Sequence, residues 1–258
     1  MIVRDEGTGP VLLMLHAFPC DGSLWDPVAG ACREAGWRTV VPDLPGFGGS
    51  PLLESEPHLD SVADEVIDLL GRLRAPSCAI AGVSLGGYVA MNLVHRYPET
   101  VRALLLCDTK ATADADPARL NRERLAVMCE EAPGDTARIL EQAVLPGLLG
   151  ETTRRHRPDV VDRARRFLMG AQASSVAWYQ RAMARRPDSR GALAAWSGPS
   201  LVLWGTEDTL SPADEQEAML DALHDATAAE VQGAGHLAVI EAPEEAGAAI
   251  VQFLDARG

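Results

Sequence analysis

Positive charge is scarce in this chain, and nearly all of it comes from arginine. Lys110 is the only lysine among the 258 residues, and 37 acidic residues against 23 basic ones leave a formal net charge of -14. A nucleic acid or an anionic membrane needs a basic face on its protein partner, because basic groups replace condensed counterions. We therefore expect neither partner and interpret the acidic charge as support for solubility.

Long apolar runs are also missing. No stretch approaches the roughly twenty consecutive apolar residues of a membrane-spanning helix. The first ten residues, MIVRDEGTGP, contain an early acidic pair and lack the apolar segment of a secretory signal. The sequence therefore predicts a cytoplasmic protein without a membrane span.

Cysteine is sparse and shows no pairing pattern. The five cysteines are odd in number, widely scattered, and without a C-x-x-C pair or a histidine at metal spacing. We therefore expect no disulfide and no structural zinc, but buried free thiols. The cysteines are Cys20, Cys32, Cys78, Cys107 and Cys129.

Apolar runs of strand length alternate with helical patterns along most of the chain. The strand-like runs are VLLMLH from residue 11, RTVVPD from 38, SCAIAG from 77, VRALLLCD from 101, PSLVLWG from 199 and the weaker ATAAEVQ from 226. Helical patterns occupy about 24–36, 60–74, 86–96, 212–223 and 243–255. This alternation predicts an α/β fold, in which helices cover both faces of a mostly parallel sheet.

The stretch 111–192 interrupts this alternation. It is helical in character, rich in arginine, broken at PGD, LPG and RPD, and has no convincing strand. It predicts a helical cap inserted into a core formed by residues 1–110 and 193–258. The arginine runs TRRHRPD and RARRF could bind an acidic ligand, but a solvated helix face balanced by acids is the favoured interpretation.

One pentapeptide, GVSLG, places Ser84 between a predicted strand and a predicted helix. A sharp strand-to-helix turn strains its middle residue, and Gly82 and Gly86 provide the room for it. The N-terminus of the helix, starting at Leu85, offers unpaired backbone N–H groups to a developing oxyanion. By itself the pattern has only moderate specificity, because any glycine-rich turn with a serine matches it.

A serine hydroxyl needs a base and a group that orients the base. Asp208 lies in TEDTLSP directly after one predicted strand, and His236 lies in GAGHLAVIEAP after the next. Both positions are carboxyl ends of strands, where ligands bind in open parallel sheets. Asp208 could instead cap a helix, and His236 could be a core histidine; the favoured interpretation makes both catalytic.

Serine, acid and histidine in this chain order follow the arrangement of the α/β-hydrolase triad. With HAFP, PDLPGFGGS, GVSLGGYVA, WGTEDTLSP and GAGHLAVIEAPEE spread from residue 16 to 245, the chain resembles the α/β-hydrolase fold superfamily. The resemblance is to compact esterases, 3-oxoadipate enol-lactonase-like hydrolases and cofactor-free haloperoxidase-like perhydrolases. It implies an α/β-hydrolase fold with an inserted helical cap.

The resemblance also implies roles for single residues. Ser84 is the expected nucleophile, His236 the base and Asp208 the acid, with Asp108 as the competing acid because some members carry it after an earlier strand. The N–H groups of Phe18 and Leu85 are expected to form the oxyanion hole. Ala17 stands where glycine is common in the family, so the loop before Phe18 can be held differently.

Six further side chains invite a role, two beside these motifs and four in the predicted cap. His16 matches a structural histidine of the family and not a base. Cys20 follows the HAFP motif, and we expect its thiol to line the pocket without acting as a nucleophile. In the cap, an apolar group could line the pocket but is predicted to be core at its helical spacing. That group is Phe167, Met169, Trp178 and Tyr179.

The function that follows is a serine hydrolase cleaving an ester, lactone or similar small-molecule acyl substrate, with no metal and no organic cofactor. Lyase, thioesterase or perhydrolase chemistry on the same triad is the first alternative. A hydrolase-like ligand receptor, and more remotely an interaction module, are the others. The sequence indicates neither the substrate nor the oligomeric state.

Overall fold

Seven strands form one central sheet in the computed structural model, which describes residues 1–257. The strands are Val3–Glu6 (β1), Val11–Leu15 (β2), Arg38–Pro42 (β3), Cys78–Val83 (β4), Val101–Cys107 (β5), Ser200–Gly205 (β6) and Ala226–Val231 (β7). Their order across the sheet is β1-β3-β2-β4-β5-β6-β7, and every neighbouring pair except β1 and β3 is parallel. The prediction of a mostly parallel sheet is confirmed.

The exception, β1, was not predicted from the sequence. Its residues VRDE are mostly exposed and pair antiparallel with β3 at the edge of the sheet. Short, charged edge strands of this kind carry too little apolar pattern to be recognised. Ion pairs hold it in place, from Arg4 to Asp26 and from Arg38 to Asp5.

Helices cover both faces of the sheet, as predicted. In chain order they are Asp26–Glu34 (α1), Leu59–Arg72 (α2), Leu85–Arg96 (α3), Asp116–Glu131 (α4), Thr136–Ala143 (α5), Leu145–Leu148 (α6), Glu151–His156 (α7), Pro158–Gly170 (α8), Ala173–Ala184 (α9), Arg190–Ala195 (α10), Ala213–Ala222 (α11), Ala238–Glu241 (α12) and Pro243–Asp255 (α13). Two groups of these helices pack within themselves. In the first, α1 packs on α13; in the second, α2 packs on α3, α3 on α10, and α10 on α11.

The apolar core lies between the sheet and these helices. Strands β4 and β6 are buried at every position, and the first seven residues of α3 are buried as well. Buried runs of this kind are typical of central parallel strands, which have no solvent face. No helix within residues 1–257 has the length and apolar character needed to cross a bilayer.

Seven helices, α4–α10, lie between β5 and β6, and the first six of them, α4–α9, are called the cap below. Within the cap α4 packs against α9 and α5 against α8. The expected inserted helical cap is therefore present, although its division from the core at residues 111 and 192 stays a prediction. The arginine runs carry ion pairs on exposed helix faces, as between Arg155 and Glu151 and between Arg165 and Glu141.

The topology brings five loops to one edge of the sheet. From β2 the chain moves outward to β3 and then crosses to β4 on the other side of β2. At such a reversal of strand order, the loops after the carboxyl ends of the strands leave a crevice for a ligand. The loops after β2, β4, β5, β6 and β7 carry, in that order, Phe18, Ser84, Lys110, Asp208 and His236.

Candidate active site

Ser84 occupies the sharp turn between β4 and α3. Its backbone has φ 51° and ψ -107°, in the region that non-glycine residues rarely adopt. Such a conformation costs about 1–3 kcal/mol and needs support from its surroundings. Support comes from β5: the Ser84 N–H donates to the Cys107 carbonyl at 3.0 Å, and the Thr109 hydroxyl donates to the Ser84 carbonyl at 2.8 Å.

Two glycines make this turn sterically possible. A Cβ at Gly82 would lie 2.3 Å from the carbonyl carbon of Gly86, and a Cβ at Gly86 would lie 2.2 Å from the Leu15 carbonyl oxygen. Both distances are far below van der Waals contact. The spacing of the glycines around the serine is therefore required by close backbone approach, as the sequence predicted.

The three residues predicted as a triad come together in space. His236 Nε2 accepts from the Ser84 hydroxyl at 2.8 Å, and His236 Nδ1–H donates to Asp208 Oδ2 at 2.8 Å. The Asp208 side chain is fully buried and that of His236 is 6% exposed, while Ser84 is half-buried. A proton can thus pass from the serine to the imidazole, whose ring is held by the carboxylate on its other side.

The turn that follows Asp208 holds its carboxylate. Asp208 Oδ1 accepts from the N–H groups of Leu210 at 2.8 Å and Ser211 at 3.2 Å, and Oδ2 accepts from the Ser211 hydroxyl at 2.5 Å. Burial raises the pKa of Asp208, but the facing His236 and these hydrogen bonds outweigh burial and leave the pKa below its usual value. The carboxylate is therefore ionised.

His236 experiences opposing effects on its pKa. Burial lowers the pKa of the imidazole, whereas the charge and hydrogen bond of Asp208, with smaller contributions from Asp108 and Glu241, raise it. The acids prevail, and the pKa lies above its usual 6.5. A raised pKa makes the histidine a stronger base for the serine proton.

The competing acid, Asp108, forms no hydrogen bond with the imidazole. It lies fully buried at the end of β5 with φ 43°, and its Oδ1 and Oδ2 accept from the N–H groups of Gly205 and Ala238, each at 2.9 Å. Burial and the charge of Asp208 raise its pKa well above the usual value. Asp108 thus ties β6 to the segment after His236, and the geometry favours Asp208 as the acid.

The two predicted oxyanion donors lie at the same edge of the sheet. Leu85 is the first residue of α3, and Phe18 lines the cavity that contains Ser84 and His236. Within residues 1–257 neither backbone N–H donates a hydrogen bond to the protein. Both groups are thus available to a ligand, and their role as an oxyanion hole stays a prediction.

A cavity of about 560 Å³ is lined by Ser84 and His236 and, on another side, by residues of the cap. Part of its lining is apolar, from Leu125, Met128, Val144, Leu148, Met183 and Leu210. Another part is charged or polar, from Lys110, Asp114, Asn121, Arg122, Arg124 and Gln180. The cavity has the size and mixed lining of a small-molecule site.

Cys20 departs from its expected place. Its side chain is 1% exposed and does not line this cavity, so the expectation that it faces the pocket is wrong. Burial, with a further contribution from Asp21, strongly raises the pKa of the thiol. A thiol in such surroundings stays protonated and unreactive. All five cysteines are free and buried.

His16 and the cap aromatics have structural surroundings. His16 is fully buried, its Nδ1–H donates to the Ala17 carbonyl, and its Nε2 accepts from the Leu44 N–H, both at 2.9 Å. Burial lowers the pKa of His16, which keeps the ring neutral. Of the four apolar cap side chains, Phe167, Trp178 and Tyr179 are buried in the core, whereas Met169 is 73% exposed.

Sequence reasoning missed the charged part of the cavity. Lys110, Asp114 and Arg122 come from the end of β5 and the start of the cap, a segment without a recognisable motif. One signal was present in the sequence. Lys110 comes shortly after the carboxyl end of a predicted strand, as do Ser84, Asp208 and His236. Within residues 1–257, no three histidine, cysteine or acidic side chains are placed to hold a metal ion.

Comparison with known proteins agrees with the fold described above. Residues 10–243 match the family model described as alpha/beta hydrolase fold. Over 255 residues, 94% of each chain, the sequence is 29% identical to a pimeloyl-(acyl-carrier protein) methyl ester esterase of Aeromonas salmonicida. A malate-bound structure of a thermophilic esterase from Thermogutta terrifontis is similar at TM-score 0.92 and 35% identity, covering 99% of this chain and 93% of that one.

An enol-lactonase from Burkholderia xenovorans is similar in structure at TM-score 0.89, with 98% of this chain and 96% of that one covered. Its sequence is only 22% identical, so this similarity concerns the fold alone.

Proposed function

Because the chain belongs to the α/β-hydrolase fold family, we propose that it is a carboxylic ester hydrolase that cleaves a small ester or lactone through an acyl-enzyme. The observation that carries the proposal is the contact from Ser84 through His236 to Asp208, with 2.8 Å at each step. Ser84 and His236 line a cavity of the size of a small-molecule site. The relatives named as esterases support the same reaction class.

The first half of the reaction forms the acyl-enzyme. His236 takes the proton of the Ser84 hydroxyl as the serine oxygen attacks the ester carbonyl carbon. The carbonyl oxygen becomes an oxyanion, which the N–H groups of Phe18 and Leu85 bind. The imidazolium, stabilised by ionised Asp208, then protonates the leaving alcohol, and the acyl group remains on Ser84.

The second half releases the acid. A water molecule gives a proton to His236 and attacks the acyl carbon through a second oxyanion at the same two N–H groups. Collapse of this intermediate returns the proton to Ser84 and frees the carboxylic acid. Side chains and backbone supply every proton transfer and charge contact in this sequence.

The proposal is tested by steady-state hydrolysis of short, medium and long p-nitrophenyl esters and a panel of small lactones. Replacing the serine (Ser84→Ala) should lower kcat by about 10⁶-fold, to the level of background hydrolysis. The matched control is Ser174→Ala, because Ser174 is exposed on α9 and has no side-chain hydrogen bond within residues 1–257. A fluorophosphonate should label the wild type and not the Ser84→Ala protein.

A folded wild type that turns over no ester faster than Ser84→Ala would contradict the proposal. Labelling of Ser84 without ester turnover would favour lyase, thioesterase or perhydrolase chemistry. Halogenation that depends on added acetate and peroxide identifies the last of these. Absence of both labelling and turnover would leave the ligand-receptor interpretation.

A further inference from the structure

The cavity above Ser84 carries a local charge of the opposite sign to the whole chain. Three cations line it, Lys110, Arg122 and Arg124, against one acid, Asp114. The chain as a whole has a formal net charge of -14. A group of cations lining one cavity of an acidic protein concentrates positive potential where the substrate binds.

Among the three cations, Lys110 adjoins in sequence the residue that hydrogen-bonds to the backbone of Ser84. It follows Thr109, whose hydroxyl donates to the Ser84 carbonyl at 2.8 Å. The Lys110 side chain is 19% exposed, and its ammonium lies 3.8 Å from both Asp114 Oδ1 and Glu215 Oε1. Both distances exceed a hydrogen bond. Within residues 1–257 the three N–H donors of this ammonium therefore have no hydrogen-bond partner.

The two nearby acids also bind other groups, which are two guanidinium groups for Asp114 and a neutral hydroxyl for Glu215. Asp114 accepts from Arg186 at 2.9 Å and from Arg122, and these guanidinium groups hold its pKa far below the usual value despite its burial. Both oxygens of Glu215 lie 2.7 Å from the Thr112 hydroxyl. The acids thus keep Lys110 in position without using its donors.

Arg124 is a further cation of the cavity lining. It lies on α4, is exposed, and forms no ion pair or hydrogen bond within residues 1–257. Arg122, on the same helix, has its charge shared with Asp114 and is the less available of the two. Arg124 is therefore the cavity-lining cation whose charge no acid shares within residues 1–257.

We propose that the substrate is anionic, a monoester of a short dicarboxylic acid or a lactone that bears a carboxylate, and that Lys110 is the residue that selects it. This inference rests on the ester hydrolase proposed above. The free carboxylate accepts from the ammonium of Lys110, whose charge faces Asp114 and Glu215 but whose N–H donors have no hydrogen-bond partner within residues 1–257. The ester carbonyl then lies at Ser84. A charge-assisted hydrogen bond of this kind discriminates by about ten- to a hundred-fold against a neutral group.

The experiment compares substrates that differ only in charge. Monomethyl succinate, glutarate and adipate are each paired with the neutral ester in which an amide replaces the free carboxylate, and hydrolysis is followed by proton release. For the wild type we expect kcat/KM to be at least about ten-fold higher for the carboxylate member of the best pair. Lys110→Met should bring this ratio close to one, and Lys110→Arg should restore a large part of it.

The matched control is Arg72→Met, which removes one positive charge from an exposed position outside the cavity. Its ratio should equal that of the wild type, because a distant surface charge is screened by salt. A wild-type ratio near one, or a ratio that Lys110→Met leaves unchanged, would overturn the inference while the ester hydrolase proposal stands.

Binding separates the two proposals if no ester is turned over. Calorimetry of monomethyl glutarate with Ser84→Ala and with Ser84→Ala/Lys110→Met measures the same contact without catalysis. A Kd that rises about ten-fold or more in the double variant supports the anion site even where hydrolysis fails. Equal affinity, or none in either protein, counts against Lys110 as the selecting residue.

Discussion

At the scale of single residues, the site depends on how buried charges set one another's protonation. His236 is buried among three acids, and its pKa is raised because their attraction for the imidazolium exceeds the effect of burial. Asp208, at 2.8 Å, contributes most of that attraction. The other two, Asp108 and Glu241, hold backbone N–H groups and act on the ring from a distance.

The titration of His236 predicts a pH profile. The imidazole must be neutral to accept the serine proton, so kcat/KM should fall as the pH drops through a value above the usual 6.5. Asp208→Asn removes the main charge that raises this pKa. The acidic limb should therefore move to lower pH, and the plateau should fall by about 10⁴-fold, as for the same change in serine proteases.

The control for this profile is Asp221→Asn, because Asp221 is exposed on α11 and has no partner within residues 1–257. Its profile should match that of the wild type. An acidic limb that stays in place in Asp208→Asn would mean that the limb does not report His236.

At the scale of secondary structure elements, the decisive feature is the close approach of β4, α3 and β2. The turn at Ser84 exists because Gly82 and Gly86 leave no side chain between these elements. Neither glycine has a positive φ, in contrast to Ser84 itself. The requirement for glycine is therefore one of space, and the conformational strain is borne by the serine.

The steric requirement predicts that Gly82→Ala is strongly destabilising. Its Cβ would lie 2.3 Å from the backbone of Gly86, which cannot move without displacing α3. Overpacking of this kind lowers the free energy of unfolding by about 1–3 kcal/mol or more, and it should also displace Ser84. Chemical denaturation and ester turnover measure the two effects.

Gly71→Ala is the matched control. Gly71 lies in the last turn of α2, and a Cβ there would meet no atom within 4 Å. Alanine in a helix is favoured over glycine by about 0.5–1 kcal/mol, so this variant should be as stable as the wild type or more so. Equal stability of the two alanine variants would contradict the steric explanation.

At the scale of the whole molecule, the cap is attached to the core through the loops that carry the candidate triad. Glu207, beside Asp208, accepts from the Thr152 N–H at 2.8 Å and from its hydroxyl at 2.6 Å. Glu241, five residues after His236, accepts from Gly150 N–H at 2.8 Å and from Leu237 N–H at 3.1 Å. The same hydrogen bonds therefore hold the cap on the core and position the loop that carries His236.

This attachment predicts a double effect of Glu241→Gln. Glutamine keeps one acceptor oxygen, so either the Gly150 or the Leu237 N–H loses its partner and faces an NH₂ group. Leaving a buried donor unpaired costs about 1–3 kcal/mol of unfolding free energy. Because Leu237 adjoins His236, ester turnover should fall as well, as measured beside the thermal unfolding of the same protein.

Glu217→Gln provides the comparison, since Glu217 is exposed on α11 and unpaired within residues 1–257. Stability and turnover of this variant should stay close to those of the wild type. If Glu241→Gln behaved in the same way, the carboxylate would have no part in joining the cap to the histidine loop.

The sequence by itself determined the features that depend on local chemistry. Apolar runs predicted six of the seven strands, and helical spacing predicted five helices, to within a few residues. The glycine spacing marked the turn at Ser84, and the positions after β6 and β7 marked Asp208 and His236. These signals are readable because each reflects an interaction within a few neighbouring residues.

Only the tertiary structure decided between Asp108 and Asp208 as the hydrogen-bond partner of the imidazole. It buried Cys20 outside the cavity lining and placed Lys110 in that lining. It also paired the polar strand β1 with the sheet edge. The physical reason is common to all four. Each depends on which groups, distant in sequence, are brought together in space, and that is set by the packing of several elements.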